Sequence, residues 1–194
     1  MKRRLSMSVS LILLLGLGMM YSLAVATADD CDKQALVPLG TDTQGTATLC
    51  VNTKGVRANI KARELTPGNA YTFWFGYIDN PSLCSGGPGV CGGADFGFGN
   101  PSANPLGVLG RMDSVVADKN GKEKFVGWVR GLRLSSGSQV IFVIRWHGQA
   151  VTNDNRRRAR QLLTPEDPPA GAPSLGVVGE PEGSDNAVAI FNIP

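Results

Sequence analysis

From Thr46 onward, apolar and polar residues alternate with a period of two. In TATLCV, Ala47, Leu49 and Val51 share a face, and in VRANIKAR, Val56, Ala58, Ile60 and Ala62 oppose Arg57, Asn59, Lys61 and Arg63. That spacing predicts two half-buried strands, the second with a charged outer face suited to an edge or to solvent. NTKG between them supplies turn residues, with Gly55 free to take the positive φ of a tight hairpin. After a turn at Pro67-Gly68, YTFWFGYI is apolar on both faces, as is QVIFVIRWH further on. Strands of that kind are central in their sheet and covered by a second layer.

Between these elements lie three less regular stretches. Asp79 to Gly107 is rich in Gly, Pro, Asn and Ser and is expected to be a long loop. Periodicity resumes at VLGRMDSVVAD, breaks at KNGK and returns in EKFVGWVRGL, and Asn120-Gly121 between two β-type runs predicts a hairpin. Asn153 to Leu163 has good helix formers and is stopped by Thr164-Pro165, so a short helix is expected there, and NAVAIFNI alternates as a final strand. The total is seven or eight strands and at most one short helix. The expected fold is all-β, an antiparallel β-sandwich spanning residues 46–194 as a single domain.

The N-terminus carries a different signal. Lys2, Arg3 and Arg4 precede an apolar run from Val9 to Val25, and Ala26-Thr27-Ala28 offers the small side chains that a signal peptidase admits. Residues 1–28 are therefore expected to be a signal peptide cut after Ala28, leaving 29–45 as an N-terminal tail and a secreted or otherwise extracytoplasmic protein with no stable membrane anchor. An oxidising compartment makes disulfides the simplest reading of four cysteines. Cys84 and Cys91 bracket SGGPGV, and Cys50 alternates off the core face toward the tail that carries Cys31. The expected pairs are Cys31–Cys50 and Cys84–Cys91.

Composition mainly excludes. The chain has 194 residues with 42% hydrophobic and 18% charged, ordinary for a globular protein. Its formal charge of +3 is supplied entirely by Lys2, Arg3 and Arg4, so the remainder is neutral, which argues against a broad electrostatic nucleic-acid binder. One histidine rules out a multi-histidine metal site, and the cysteine spacings are not those of a zinc ribbon. Any histidine-dependent chemistry must use His147, yet no G-x-S-x-G elbow accompanies it. The glycine-rich CSGGPGVCGGADFGFGNP lacks the Gly-Lys-Ser/Thr ending of a phosphate loop and reads as a stapled surface loop. DKNGKE lacks the spaced carboxylates of a calcium loop. No cofactor is expected.

Two candidate contact groups remain. Phe96 and Phe98, flanked by glycines on the stapled loop, are candidate recognition aromatics, and Arg156, Arg157, Arg158 and Arg160 form a dense basic run able to meet an anionic group.

The order GTATLCV, LTPGNAYTFWFGYIDNPSLC, CGGADF, GRMDSVVADKNGKEKFVGWVRGL and VIFVIRWHGQAV, from about Gly45 to Val151, resembles a group of uncharacterised exported β-sandwich proteins and, more distantly, chordin-type (CHRD) domains. The resemblance implies a sandwich scaffold and carries no activity with it. The functional expectation is an exported, non-enzymatic protein that binds an extracellular partner, polymer or surface component through its loops. The alternative is a secreted hydrolase built on carboxylates or on His147.

Overall fold

The computed structural model describes residues 30–150 and 184–194. They form nine strands: β1 (Asp30–Ala35), β2 (Val37–Pro38), β3 (Gln44–Asn52), β4 (Gly55–Arg63), β5 (Asn69–Ile78), β6 (Leu109–Val116), β7 (Glu123–Arg130), β8 (Gln139–Gln149) and β9 (Ser184–Asn192). All pairings are antiparallel, in a four-stranded sheet of order β1-β3-β4-β7 and a five-stranded sheet of order β2-β9-β8-β5-β6. The fold is an antiparallel β-sandwich.

Periodicity decides which side chains lie between the sheets. From the four-stranded sheet, Ala47, Leu49, Val56, Ala58, Ile60 and Phe125 point inward and are buried. The other sheet answers with Tyr71, Phe73, Phe75 and Tyr77 of β5 and Val140, Phe142 and Ile144 of β8. Phe142 makes an edge-on contact with Phe73, its ring centroid 5.1 Å away, and a tilted one with Phe191 at 4.9 Å. Such aromatic pairs add to simple area burial. β5 and β8 are both internal to their sheet, as their two-sided apolar patterns require.

The β3–β4 hairpin forms as the alternation predicts, with Asn52 opposite Gly55. The Asn120-Gly121 turn does not make a hairpin. β6 and β7 lie in different sheets, so the turn is an arch that carries the chain across the sandwich. Asp118 shapes it by accepting the N–H groups of Asn120 at 2.8 Å and Lys122 at 3.0 Å. Gly121 sits at φ 65°, and a Cβ there would come within 2.4 Å of the Leu65 carbonyl oxygen. Across the arch, Asp113 of β6 accepts the N–H of Val126 on β7 at 2.9 Å, which ties the two edge strands together without a ladder.

The expected N-terminal tail is also built into the sandwich. β1 adds an edge to the four-stranded sheet, Leu36 crosses through the core, and β2 joins the edge of the other sheet. The Cys31–Cys50 disulfide links β1 to β3 directly across the ladder. Cys84–Cys91 closes the loop after β5. Two disulfide-bonded pairs fit an oxidising environment. The expected signal peptide, the helix at 153–163 and the arginine run lie outside the described residues.

Candidate functional site

The connection from β5 to β6, residues 79–108, is long but well packed. Its centre is Asp95, which is fully buried. The carboxylate accepts hydrogen bonds from the Ser85 N–H at 2.7 Å, the Ser85 hydroxyl at 3.0 Å, the Gly92 N–H at 2.9 Å and the Asn100 amide at 2.8 Å. Desolvation alone would raise its pKa, but the bonds from Asn100, Gly92 and Ser85 outweigh that and lower it from 3.8 to about 2. A carboxylate that is charged at neutral pH thus joins three separate turns of the loop. The Asn100 amide also donates to the Leu83 carbonyl at 2.9 Å, and the Asn80 N–H to the Ala103 carbonyl at 2.8 Å. With the Cys84–Cys91 bridge these contacts fix the loop's shape without regular secondary structure.

The two loop phenylalanines take different positions. Phe96 is half-buried and packs with Ile78, Cys84 and Ala103, its ring lying directly over Gly76 of β5. A Cβ at position 76 would meet that ring at 2.3 Å, so a glycine in an otherwise aromatic strand makes the seat for Phe96. Phe98 is 73% exposed, resting over Gly107. Leu83, Val90 and Leu106 on the same loop are also exposed. Phe96 therefore holds the loop to the sheet, and Phe98 is the aromatic available for contact. The sequence shows two similar Phe-Gly dipeptides and nothing that separates them; the glycine in β5 is the distinguishing signal, legible only once the loop is folded back.

His147 lies at the end of β8 on the outer side of the five-stranded sheet. Its Nε2 is 2.7 Å from the Thr72 hydroxyl, which also accepts the Trp74 indole N–H at 2.8 Å. A hydroxyl beside an imidazole is the geometry of an activated nucleophile. Here, however, Thr72 has no exposed surface and Trp74 is buried beside it, so no substrate carbonyl can approach the oxygen. Two residues earlier on β8, Arg145 pairs with Asp185 of the neighbouring β9 at 3.0 Å.

Two acidic residues line one further cleft. Asp42 and Glu64 line an open depression of about 330 Å³ with Thr41, Thr66, Tyr71 and Trp146. Glu64 has a left-handed φ of 61°, an unfavourable conformation for a non-glycine residue. Among the described residues no group of three or more His, Cys, Asp or Glu side chains could hold a metal ion. Arg156, Arg157, Arg158 and Arg160 lie outside the described residues. Arg57, Lys61 and Arg63 stand on the exposed face of β4, where the alternation puts them. No protein-family model matches the chain, and no curated protein matches its sequence.

Proposed function

We propose that the protein is an exported, non-enzymatic β-sandwich that binds a macromolecular partner or surface component through the loop of residues 79–108, with Phe98 as the central contact. The observation that carries this reading is the exposure of Phe98 on a loop whose backbone is already fixed. An exposed aromatic in a pre-ordered frame loses little conformational entropy on binding, and such residues dominate interface energetics. Export is supported by the charged, apolar and small-residue segments at the N-terminus, in the order the translocation machinery reads them, and by the two disulfides. The reading needs no cofactor.

Site-specific photo-crosslinking tests it. A benzophenone side chain at position 98 of the protein secreted by its own cells should give a defined adduct, and the same group at Asn120 on the opposite connection should not. Equal labelling at both positions would overturn the proposal. The hydrolase alternative is tested with ester, peptide and glycoside panels: turnover that survives Phe98→Ala but disappears in His147→Ala or Glu64→Gln would establish an enzyme. Mass spectrometry of the exported protein should find its N-terminus at Asp29, and an intact Met1 would remove the export claim.

A further inference from the structure

A second surface stands apart from that loop. Strand alternation and register place Lys33 of β1, Arg57, Lys61 and Arg63 of β4, and Lys124 and Arg130 of β7 on the outer face of the four-stranded sheet. The other outward positions are Cys31, Ala35, Gln44, Thr46, Thr48, Cys50, Asn52, Gly55, Asn59, Val126 and Trp128, so these strands contribute no carboxylate to the face. Charge that is balanced over the chain beyond its first four residues is therefore segregated on the sheet.

Two further features mark this face. Lys61 and Lys124 are directly opposite each other in the ladder, and like charges in that position are destabilising. Arg63 follows two residues along the same strand, and with Lys122 these side chains line a shallow groove of about 550 Å³. Glu123 also reaches this groove, but its carboxylate accepts the Asp118 N–H at 3.0 Å. At the other end of the face Trp128 is 44% exposed, with the Arg130 guanidinium 4.7 Å from its ring centroid.

We propose that this face binds an acidic polysaccharide, sulfated or uronate-bearing, laid across β4 and β7. Cations on alternate residues of a strand recur at about 7 Å, and neighbouring strands are about 5 Å apart. The result is a flat lattice of positive charge that a repeating anionic chain can follow. The groove between Lys61, Arg63 and Lys124 is shallow and open, so affinity there must come from many weak contacts along a polymer. Among the described residues Trp128 is the only aromatic on the face, whereas a single-stranded nucleic acid is held by a series of stacking platforms. Among the described residues Val126 is the only exposed large aliphatic beside it, and these strands offer too little apolar area on the face to insert into a membrane. Bound anions relieve the Lys61–Lys124 repulsion, which gives the polymer a differential preference for this patch.

The experiment uses the mature protein and defined probes: heparin, a polyuronate, duplex DNA, and vesicles of anionic phospholipid. The wild type should bind heparin or the polyuronate more tightly than DNA or vesicles, with affinity falling steeply as salt rises. Lys61→Gln, Arg63→Gln and Lys124→Gln combined should weaken that binding at least about tenfold at physiological salt and reduce the salt slope by about two to three. The melting temperature of this variant should be unchanged or raised, since it removes a like-charge pair, and that separates loss of the surface from loss of the fold. Phe98→Ala should bind the polysaccharide as the wild type does, so the two surfaces fail independently. Full retention by the sheet variant, with loss on neutralising Arg156, Arg157 and Arg158 instead, would overturn the proposal; so would preference for DNA or vesicles, or no binding to either polysaccharide at low salt.

Discussion

At the scale of single residues, Asp95 is the polar group on which the candidate contact loop depends. Its folded pKa of about 2 lies below the ordinary 3.8, so its contribution is fully present above the ordinary value and is lost as pH falls through the folded one. The loop should accordingly hold at pH 5 and open between about pH 4 and 2, read as increased hydrogen exchange at Ser85 and Gly92 while the strand amides stay protected. Asp95→Ala removes the buried acceptor of four hydrogen bonds from Ser85, Gly92 and Asn100 and should cost about 1.5–3 kcal/mol in a urea melt. Phe96→Ala should also destabilise, by about 2 kcal/mol, because it empties the seat above Gly76. Phe98→Ala should change stability by no more than about 0.5 kcal/mol. None of these differences is legible in the sequence, where Asp95 is one acidic residue in a glycine-rich run. Its burial is created by the return of the loop onto β5.

At the scale of elements, alternation identifies a strand where only one of its faces is buried, as in β3, β4 and β9, and an apolar run on both faces identifies the central strands β5 and β8. β1 escapes because DCDKQA has no apolar alternation: an edge strand held by backbone pairing and a disulfide needs none. The β6–β7 turn misleads for another reason. Asn-Gly favours a turn of positive φ but does not say whether the next strand returns beside the last or crosses to the facing sheet; that choice belongs to the partners, and β5 and β4 claim β6 and β7 respectively. The arch makes a specific demand on its glycine. Gly121→Ala combines a left-handed φ with a clash on the Leu65 carbonyl and should cost about 2–3 kcal/mol. Asn120→Ala, at an exposed position with only local hydrogen bonds, should cost less than about 1 kcal/mol. Equal losses in a thermal melt would mean that the arch is not the strained element.

At the scale of the whole molecule, the sandwich separates its chemistry by surface. The aromatic core lies between the sheets, the exposed hydrophobics of residues 79–108 lie on one connection, and Lys33, Arg57, Lys61, Arg63, Lys124 and Arg130 gather on the outer face of the four-stranded sheet. Net charge gave no hint of this, because a sum over the chain discards the register that sorts residues onto faces. The two disulfides are divided in the same way and should therefore report on different events. Cys31–Cys50 closes a separation of 19 residues and pins the edge of the four-stranded sheet, whereas Cys84–Cys91 closes 7 residues within one connection. Chain entropy alone assigns about 3 kcal/mol to the first and about 2 kcal/mol to the second. Replacing Cys31 and Cys50 by Ser should lower the global melting temperature and, by freeing β1, uncover the β3 edge, so this variant should also form concentration-dependent aggregates. Replacing Cys84 and Cys91 by Ser should be felt chiefly in the loop, with faster proteolysis between Ser85 and Val90 and a smaller shift of the global transition, because Asp95 and Phe96 still fasten it. A larger melting-temperature loss in the second variant than in the first would mean that the loop is part of the cooperative core and not a structure carried on it.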